Sequence, residues 1–196
     1  VTTDDEMVLT TRRLRLRDFR DDDIDGLYAL VSDDRLTRTL AFDSLDRVRA
    51  AGMLRTVVAQ AADRPRVEYY LAITLRDGDD VPIGFARLGL ADVRAGKLGY
   101  LIAAEHWNHG YATEAAAALL DLAFGPLGLH RVSAAIGPDN AASIAVAERL
   151  GLVREGRMRE NVFTNGAWRD SLLYAVLAAE WSRPHAASAK TTTLSR

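Results

Sequence analysis

Apolar and polar positions along the chain change period several times, and each change marks an element. Leu14 and Leu16 alternate with Arg13, Arg15 and Arg17, the two-residue period of a half-buried strand with one wet face. Asp18 and the run Asp21-Asp22-Asp23 precede Ile24, Leu27, Leu30 and Val31, one helix face with acid near its positive end. A second helix is predicted from a Ser44 N-cap, with Leu45, Val48, Met53, Leu54, Val57 and Val58 as its apolar stripe and Pro65 as its stop. Strand patterns fill the middle: Val67 to Leu75, Val81 to Leu90 and Lys97 to Ile102, separated by turns over Asp77-Gly78-Asp79-Asp80 and Arg94-Ala95-Gly96. After Gly110 an alanine- and leucine-rich helix runs from about Ala112 to Phe124 and ends at Gly125-Pro126. A short strand, Arg131 to Ile136, leads through Gly137-Pro138-Asp139-Asn140 to a helix over Ser143 to Leu150, closed by Gly151. Two last strands, Leu152 to Phe163 and Ala167 to Leu177, flank Asn165-Gly166, a strong hairpin signal.

The predicted order is β-α-α-β-β-β-α-β-α-β-β, about seven strands, with no repeat and no linker to divide it. A strand, helix and strand over Lys97 to Ile136 form a parallel crossover, whereas the hairpins pair antiparallel, so the fold is one α/β domain on a mixed, mostly antiparallel sheet flanked by helices. Periodicity is lost after Trp181; residues 9–181 read as the domain, with 1–8 and 182–196 as flexible termini.

Composition narrows the function. The 196 residues are 48% hydrophobic and 27% charged with a net charge of −2, which describes a folded globular chain rather than a disordered one. With no cysteine, thiolate metal sites, disulfides and Cys nucleophiles are excluded. The start carries no apolar run behind a basic segment and no stretch reaches the ~20 apolar residues of a membrane helix, so the protein reads as cytoplasmic, without a membrane partner. Near-neutral charge gives no field for nucleic acid, and Arg13, Arg15 and Arg17, balanced by nearby acids, read as solvated strand surface. Of the 25 basic residues only Lys97 and Lys190 are lysines, a bias that coding composition explains without a phosphate-binding role.

The most informative segment is Trp107-Asn108-His109-Gly110-Tyr111-Ala112-Thr113-Glu114-Ala115, between a strand and the longest helix. A glycine turn there exposes unpaired N–H groups at the positive end of the helix dipole, which suits either an anion cradle or an ordinary turn with Gly110 chosen for its backbone angles. Neither the three-glycine dinucleotide fingerprint nor a Walker loop is present. Glu114, on the helix's first turn, suits a dipole role. His106, His109, His130 and His185 have no metal-ligand spacing, so no metal is expected, and Ser143 lies in no Gly-x-Ser-x-Gly elbow. Trp107, Trp168 and Trp181 read as core or interface anchors.

At this segment the sequence resembles the GNAT acyl-CoA-dependent N-acyltransferases, whose signature Gln/Arg-x-x-Gly-x-Gly/Ala opens a helix after the fourth strand. Trp107-x-x-Gly110-Tyr111-Ala112 fits it with tryptophan in place of Gln/Arg, a spelling similar to that of the RimJ/RimL-like branch of ribosomal-protein N-terminal acetyltransferases. Asn140-Ala141-Ala142-Ser143, then Glu148-Arg149-Leu150-Gly151-Leu152 and Glu155-Gly156, resemble the family's next landmark, and Asn165-Gly166-Ala167-Trp168-Arg169-Asp170 resembles a hairpin common in that branch. The element order agrees from Leu14 to Leu177.

The resemblance implies an acetyl-CoA-dependent N-acetyltransferase, acting directly on a primary amine acceptor that is a protein N-terminus or a small molecule. It implies that the amides of His109, Gly110, Tyr111, Ala112 and Thr113 hold the CoA pyrophosphate. Leu101 and Ile102, at a bulge where two parallel strands splay, are to pair with pantetheine and offer an N–H to the thioester oxygen. It further implies that Asn140 contacts the pantetheine arm and that Ser143 reaches the thioester sulfur, the two sharing a cleft because one helical turn separates them. Many members use a tyrosine as acid about seven residues after Asn140, where this chain has Ala147 and Glu148. Ser143 therefore takes the sulfur-side role as a hydrogen-bond donor, although a serine satisfying backbone donors at a helix start is an equal reading of the local sequence. Glu68 and Glu160 are the candidate bases. The missing tyrosine leaves a second reading open, a non-catalytic GNAT-fold module that binds acyl-CoA as a regulatory ligand. Leu36, Leu40 and Phe42 either line an acceptor pocket or pack on the core, and an exposed edge strand with Trp168 would suit a homodimer contact.

Overall fold

The computed structural model describes residues 6–91 and 93–181; the tail expected to fray, 182–196, lies outside the described residues, as do residues 1–5. Among the described residues eight strands form one sheet: β1 (Val8–Thr10), β2 (Leu14–Asp18), β3 (Glu68–Leu75), β4 (Gly84–Ala91), β5 (Ala95–Ile102), β6 (Arg131–Ile136), β7 (Val153–Thr164) and β8 (Ala167–Leu177). Their order is β1-β2-β3-β4-β5-β6-β8-β7. Every neighbouring pair is antiparallel except β5–β6, where the helical connection returns the chain to the end of the sheet at which β5 began. The added strand is β1. With three residues it is too short for a two-residue period to show, and its place is fixed by pairing with β2 and by the Met7 N–H donating to the Asp18 carboxylate (3.0 Å).

Helices cover both faces. On one lie α4 (Tyr111–Phe124) and α5 (Ala141–Arg149). The α4 alanines Ala115, Ala116 and Ala123 are fully buried against Leu14, Leu71, Leu88 and Val132, their small side chains letting the helix lie close on the strands. On the other face α1 (Ile24–Val31), α2 (Asp34–Thr37) and α3 (Arg47–Ala61) pack Leu27, Leu30, Leu36 and Leu54 on Phe19, Ala72, Phe85 and Leu101. Leu40 and Phe42 join this second core as partly buried members. The sheet is thus covered on both sides at β2, β3 and β4, and the alternation within β2 reads differently from a one-sided strand. Leu14 and Leu16 face α4, while Arg17 is buried at 1% exposure with Asp23. The solvated surface expected of Arg17 is corrected: the α1 side covers that face, and carboxylates satisfy the guanidinium.

The cap expected at Ser44 also moves. α3 begins at Arg47, where the Asp46 carboxylate accepts the Arg49 N–H (2.8 Å), while the Ser44 hydroxyl bonds Asp34 and Thr37. Val48, expected in the apolar stripe, is 79% exposed. At the far hairpin, Asn165 (φ 51°) and Gly166 (φ 71°) both take the left-handed conformation that a two-residue turn between twisted strands requires. This tip is tied to the α2–α3 connection: the Asn165 N–H donates to the Asp43 carboxylate (2.6 Å), and the Arg169 guanidinium to the Arg38 carbonyl (2.8 Å).

Candidate active site

The parallel pair is where the sheet opens. β5 and β6 pair only at Ala95↔Arg131, Gly96↔Val132 and Lys97↔Ser133. Beyond that point β5 stays with β4 as far as Ile102↔Gly84, and β6 stays with β8 as far as Ile136↔Leu172. Each strand is held by its outer neighbour, so the two part. The β4–β5 register shows no shift along its length; the bulge expected at Leu101 and Ile102 is absent, and divergent pairing opens the sheet instead.

Strand alternation decides which amides face the gap. The Ala103 N–H donates to the Ile83 carbonyl on the β4 side. Successive residues of a strand point their N–H and C=O to opposite neighbours, so Leu101 turns its amide toward β4, whereas Leu98, Tyr100 and Ile102 turn theirs away from it. The Lys97↔Ser133 pairing commits the Leu98 N–H to β6, which leaves the N–H groups of Tyr100 and Ile102 on the open stretch. Of the two residues expected to supply an oxyanion donor, Ile102 therefore carries the free N–H. Its carbonyl accepts the Trp107 indole N–H (2.8 Å). This pins the loop before α4 to the end of β5.

That loop ends at Gly110, which holds φ +76° as the residue before α4. No side chain caps the helix. The first backbone bond runs from the Glu114 N–H to the Gly110 carbonyl (3.1 Å), so the amides of Tyr111, Ala112 and Thr113 have no intrahelical acceptor. His109 stacks on Tyr111 at 5.5 Å, and its Nδ1 lies 2.7 Å from the Trp107 carbonyl. Glu114 does not point at the loop. It accepts from the Thr11 hydroxyl (2.6 Å), the Arg13 N–H (2.8 Å) and the Arg13 guanidinium (2.7 Å). Burial opposes its charged form, but these donors outweigh burial and hold the carboxyl below its ordinary value.

α5 starts differently. The Asn140 side-chain oxygen accepts the Ser143 N–H (3.0 Å) and caps the helix, leaving the Asn140 amide nitrogen for the cleft. Among the described residues the Ser143 hydroxyl makes no hydrogen bond. The Ser143 carbonyl accepts the Tyr100 hydroxyl (3.2 Å), a link from the open side of β5 to α5. Burial pushes the Tyr100 phenol up to about 12, only partly offset by that bond, so it remains a neutral donor throughout the physiological range. The Tyr100 hydroxyl thus joins β5 to the start of α5, where Asn140 and Ser143 stand, and the Trp107 indole joins the end of β5 at Ile102 to the loop that leads into the uncapped start of α4.

The candidate bases are not brought together. Both Glu68 oxygens bind the Arg87 guanidinium (2.6 and 2.8 Å) on the face covered by α1 and α3. Glu160 is exposed in an irregular stretch of β7 between Met158 and Val162, at φ +50°, its N–H donating to Asp170 (2.8 Å). Strands β4, β5, β6 and β8 stand between them in the sheet. Among the described residues there is no cluster of three metal-ligating side chains, and no helix is long and apolar enough to cross a membrane. Reading the sequence alone did not find the roles of Trp107 and Tyr100. Trp107 carries a signal in its place within the turn motif, but Tyr100 carries none until the strand and α5 are set side by side.

Comparison with known proteins identifies the family. Residues 13–153 match the model of the acetyltransferase (GNAT) domain. The chain is 31% identical over 173 residues to an uncharacterized N-acetyltransferase of Bacillus subtilis (strain 168), YoaA, covering 87% of this chain and 96% of that protein. Among solved structures it is similar to Mycobacterium smegmatis RimJ in complex with CoA-disulfide, with a TM-score of 0.76 and 29% identity over 89% of this chain and 88% of that one. A GNAT-family acetyltransferase from Bacillus anthracis shares the fold at a TM-score of 0.78 and 23% identity, covering 89% of this chain and all of the other. With the domain model spanning most of its length, the chain belongs to the GNAT acetyltransferase family.

Proposed function

We propose that this chain is an N-acetyltransferase that moves the acetyl group of acetyl-CoA directly to a primary amine. The observation that carries the reading is the joining of two features, the uncapped start of α4 at Gly110 and the parting of β5 from β6 beside it. The amides of His109 to Thr113 hold the pyrophosphate, where N–H groups and helix dipole both favour an anion. The open edge of β5 beyond Lys97↔Ser133, with the Leu98 carbonyl and the Tyr100 N–H, pairs with the amides of the pantetheine arm, and the Asn140 amide nitrogen approaches from α5. The CoA-disulfide complex of the RimJ relative, at 29% identity, supports this occupancy.

The reaction is attack of a neutral amine on the thioester carbon, collapse of the tetrahedral adduct and departure of the CoA thiolate. Ile102 donates its N–H to the oxygen that becomes negative, the contribution worth most in such chemistry. Ser143 donates its hydroxyl to the sulfur. Glu68 and Glu160 are the candidate bases for the amine proton, acting through water. On the α1–α3 face Glu68 stands in a bidentate pair with Arg87, while Glu160 stands on the exposed edge strand β7. The likeness to RimJ favours a protein N-terminus as acceptor, with a small-molecule amine as the other class.

Calorimetric titration with acetyl-CoA, followed by a thiol-release assay over peptide N-termini, polyamines and aminoglycosides, tests the reading. Binding with acceptor-dependent CoA release is the expected result. Failure of the folded protein to bind acetyl-CoA would overturn the CoA site, while binding without release over the whole panel would favour the regulatory module.

A further inference from the structure

Two arginines flank the start of α4, and their charges are in different states. Arg13 lies on one side, its guanidinium 4.8 Å from the Tyr111 ring centroid and a nitrogen 3.4 Å from where a Gly110 Cβ would stand. Its charge is already matched by Glu114 at 2.7 Å. Arg149 reaches the same turn from the other element, out of the last turn of α5. Its Nη1 lies 3.5 Å from the Thr113 hydroxyl, a long contact to a neutral group. Among the described residues no carboxylate pairs with Arg149, and both the side chain and the loop residues Asn108 to Gly110 are exposed.

A guanidinium in that state gives up little when a phosphate arrives. It exchanges one weak contact for a charge-assisted, geometrically matched bond and breaks no ion pair. α5 would then serve the donor at both ends, with the Asn140 cap at its first turn and Arg149 at its last. The amides of α4 can neutralise only a fraction of a charge through the dipole, whereas CoA brings a pyrophosphate and a 3′-phosphate. We propose that Arg149 binds a phosphate group of the CoA donor and is a specificity-determining residue for it. The inference rests on the reading above that the start of α4 holds CoA. The competing role for Arg149 is complementing the dipole at the C-terminus of α5, which predicts an effect on stability and none on CoA.

The test is calorimetric titration of the full chain with CoA and with dephospho-CoA, for the wild type, Arg149→Ala, Arg149→Lys and Arg55→Ala. Arg55 is an exposed arginine on α3, across the sheet. Arg149→Ala is expected to weaken CoA binding about tenfold, the size of one lost charge-assisted bond, with its melting temperature near the wild type's. The loss should shrink at high salt, where exposed charges are screened. Arg149→Lys recovers part of the affinity as a point charge without the fork, and Arg55→Ala changes nothing. An equal loss for both ligands assigns Arg149 to the pyrophosphate, and a loss seen only with CoA assigns it to the 3′-phosphate; either supports the proposal. Equal affinity of wild type and Arg149→Ala for both ligands would overturn it while leaving the CoA site intact. Failure of the wild type itself to bind CoA would instead remove the reading on which it rests.

Discussion

Gly110 does two things that another residue cannot do together: it takes φ +76° and leaves the amides after it uncovered. An L-residue there is strained by about 1–2 kcal/mol, more when β-branched, and its Cβ would stand 3.4 Å from Arg13. Gly110→Val is therefore expected to lower stability by about that amount and to weaken acetyl-CoA binding at least tenfold, read by thermal melting and calorimetry. Gly52→Ala is the matched control. It lies within α3, a Cβ meets only Arg55 at 3.9 Å, and the change should raise stability by up to about 1 kcal/mol without touching CoA. Ser143 separates differently, because its backbone N–H serves the Asn140 cap and its hydroxyl does not. Ser143→Ala keeps the cap, so CoA affinity should stay within about threefold while kcat falls about tenfold or more, the pattern of a bond made only in the transition state. Unchanged kcat would remove the sulfur-side role.

At the scale of elements, the start of α4 is held by chain far away in sequence. Glu114 collects Thr11 and Arg13 from the β1–β2 connection, so the helix that carries the candidate phosphate cradle is fixed to an edge of the sheet. Because donors hold this carboxyl below the ordinary value of 4.5 in the folded state, its contribution is full above 4.5 and is lost as pH falls through the lower, folded value. Glu114→Gln should cost about 1.5–3 kcal/mol at pH 7. Melting both proteins between pH 7 and pH 3 should show the gap narrowing below about pH 4.5; a gap independent of pH would place the effect in packing rather than charge. The sequence placed α4 within one residue at its start, since Gly110 and Gly125-Pro126 punctuate a long apolar helix. It placed α3 less well. Ser44 and Asp46 are both good caps, and the choice between them was made by Thr37 and Asp34, which engage Ser44 instead.

Across the whole molecule, what could be read in sequence followed the range of the physics involved. Turns such as Asn165-Gly166 and the Gly110 motif act over a few residues and are visible locally. The free Ile102 amide depends on which neighbour β5 keeps, and the Arg149 contact with Thr113 depends on two helices meeting across 36 positions. Neither leaves a local trace. Arg17 is the strongest case, since an alternating strand predicts an exposed side chain only while one face of the sheet is wet. With helices on both faces, all of its donors turn inward, to the Asp23 carboxylate (2.7 and 2.8 Å), the Asp80 carboxylate (3.1 and 3.2 Å) and the carbonyls of Asp18 and Asp80.

This network joins β2, the entry to α1 and the β3–β4 turn, and its energetics can be separated by which partner is removed. Asp23 is 6% exposed and takes the guanidinium at two points. Asp23→Ala leaves a buried cation short of its main counter-charge, at an expected cost of about 3–5 kcal/mol in denaturant unfolding. Asp80→Ala should cost less, because the Asp80 side chain is 34% exposed and Arg17 keeps Asp23. Replacing both members of the buried pair, Arg17→Met with Asp23→Leu, removes the stranded charge along with its partner and should recover most of the loss. Recovery stays incomplete, because Asp23 also accepts the Arg20 N–H (2.8 Å) ahead of α1. Asp80 is not orphaned in that double variant, since Arg20 still pairs with it at 2.9 Å. If the double variant were instead as unstable as Asp23→Ala, the pair would be contributing its own attraction beyond the cost of desolvation. The ion pair would then be a source of stability in this fold, and the apolar contacts that α1 and α3 make on the sheet would be insufficient to hold that face closed alone.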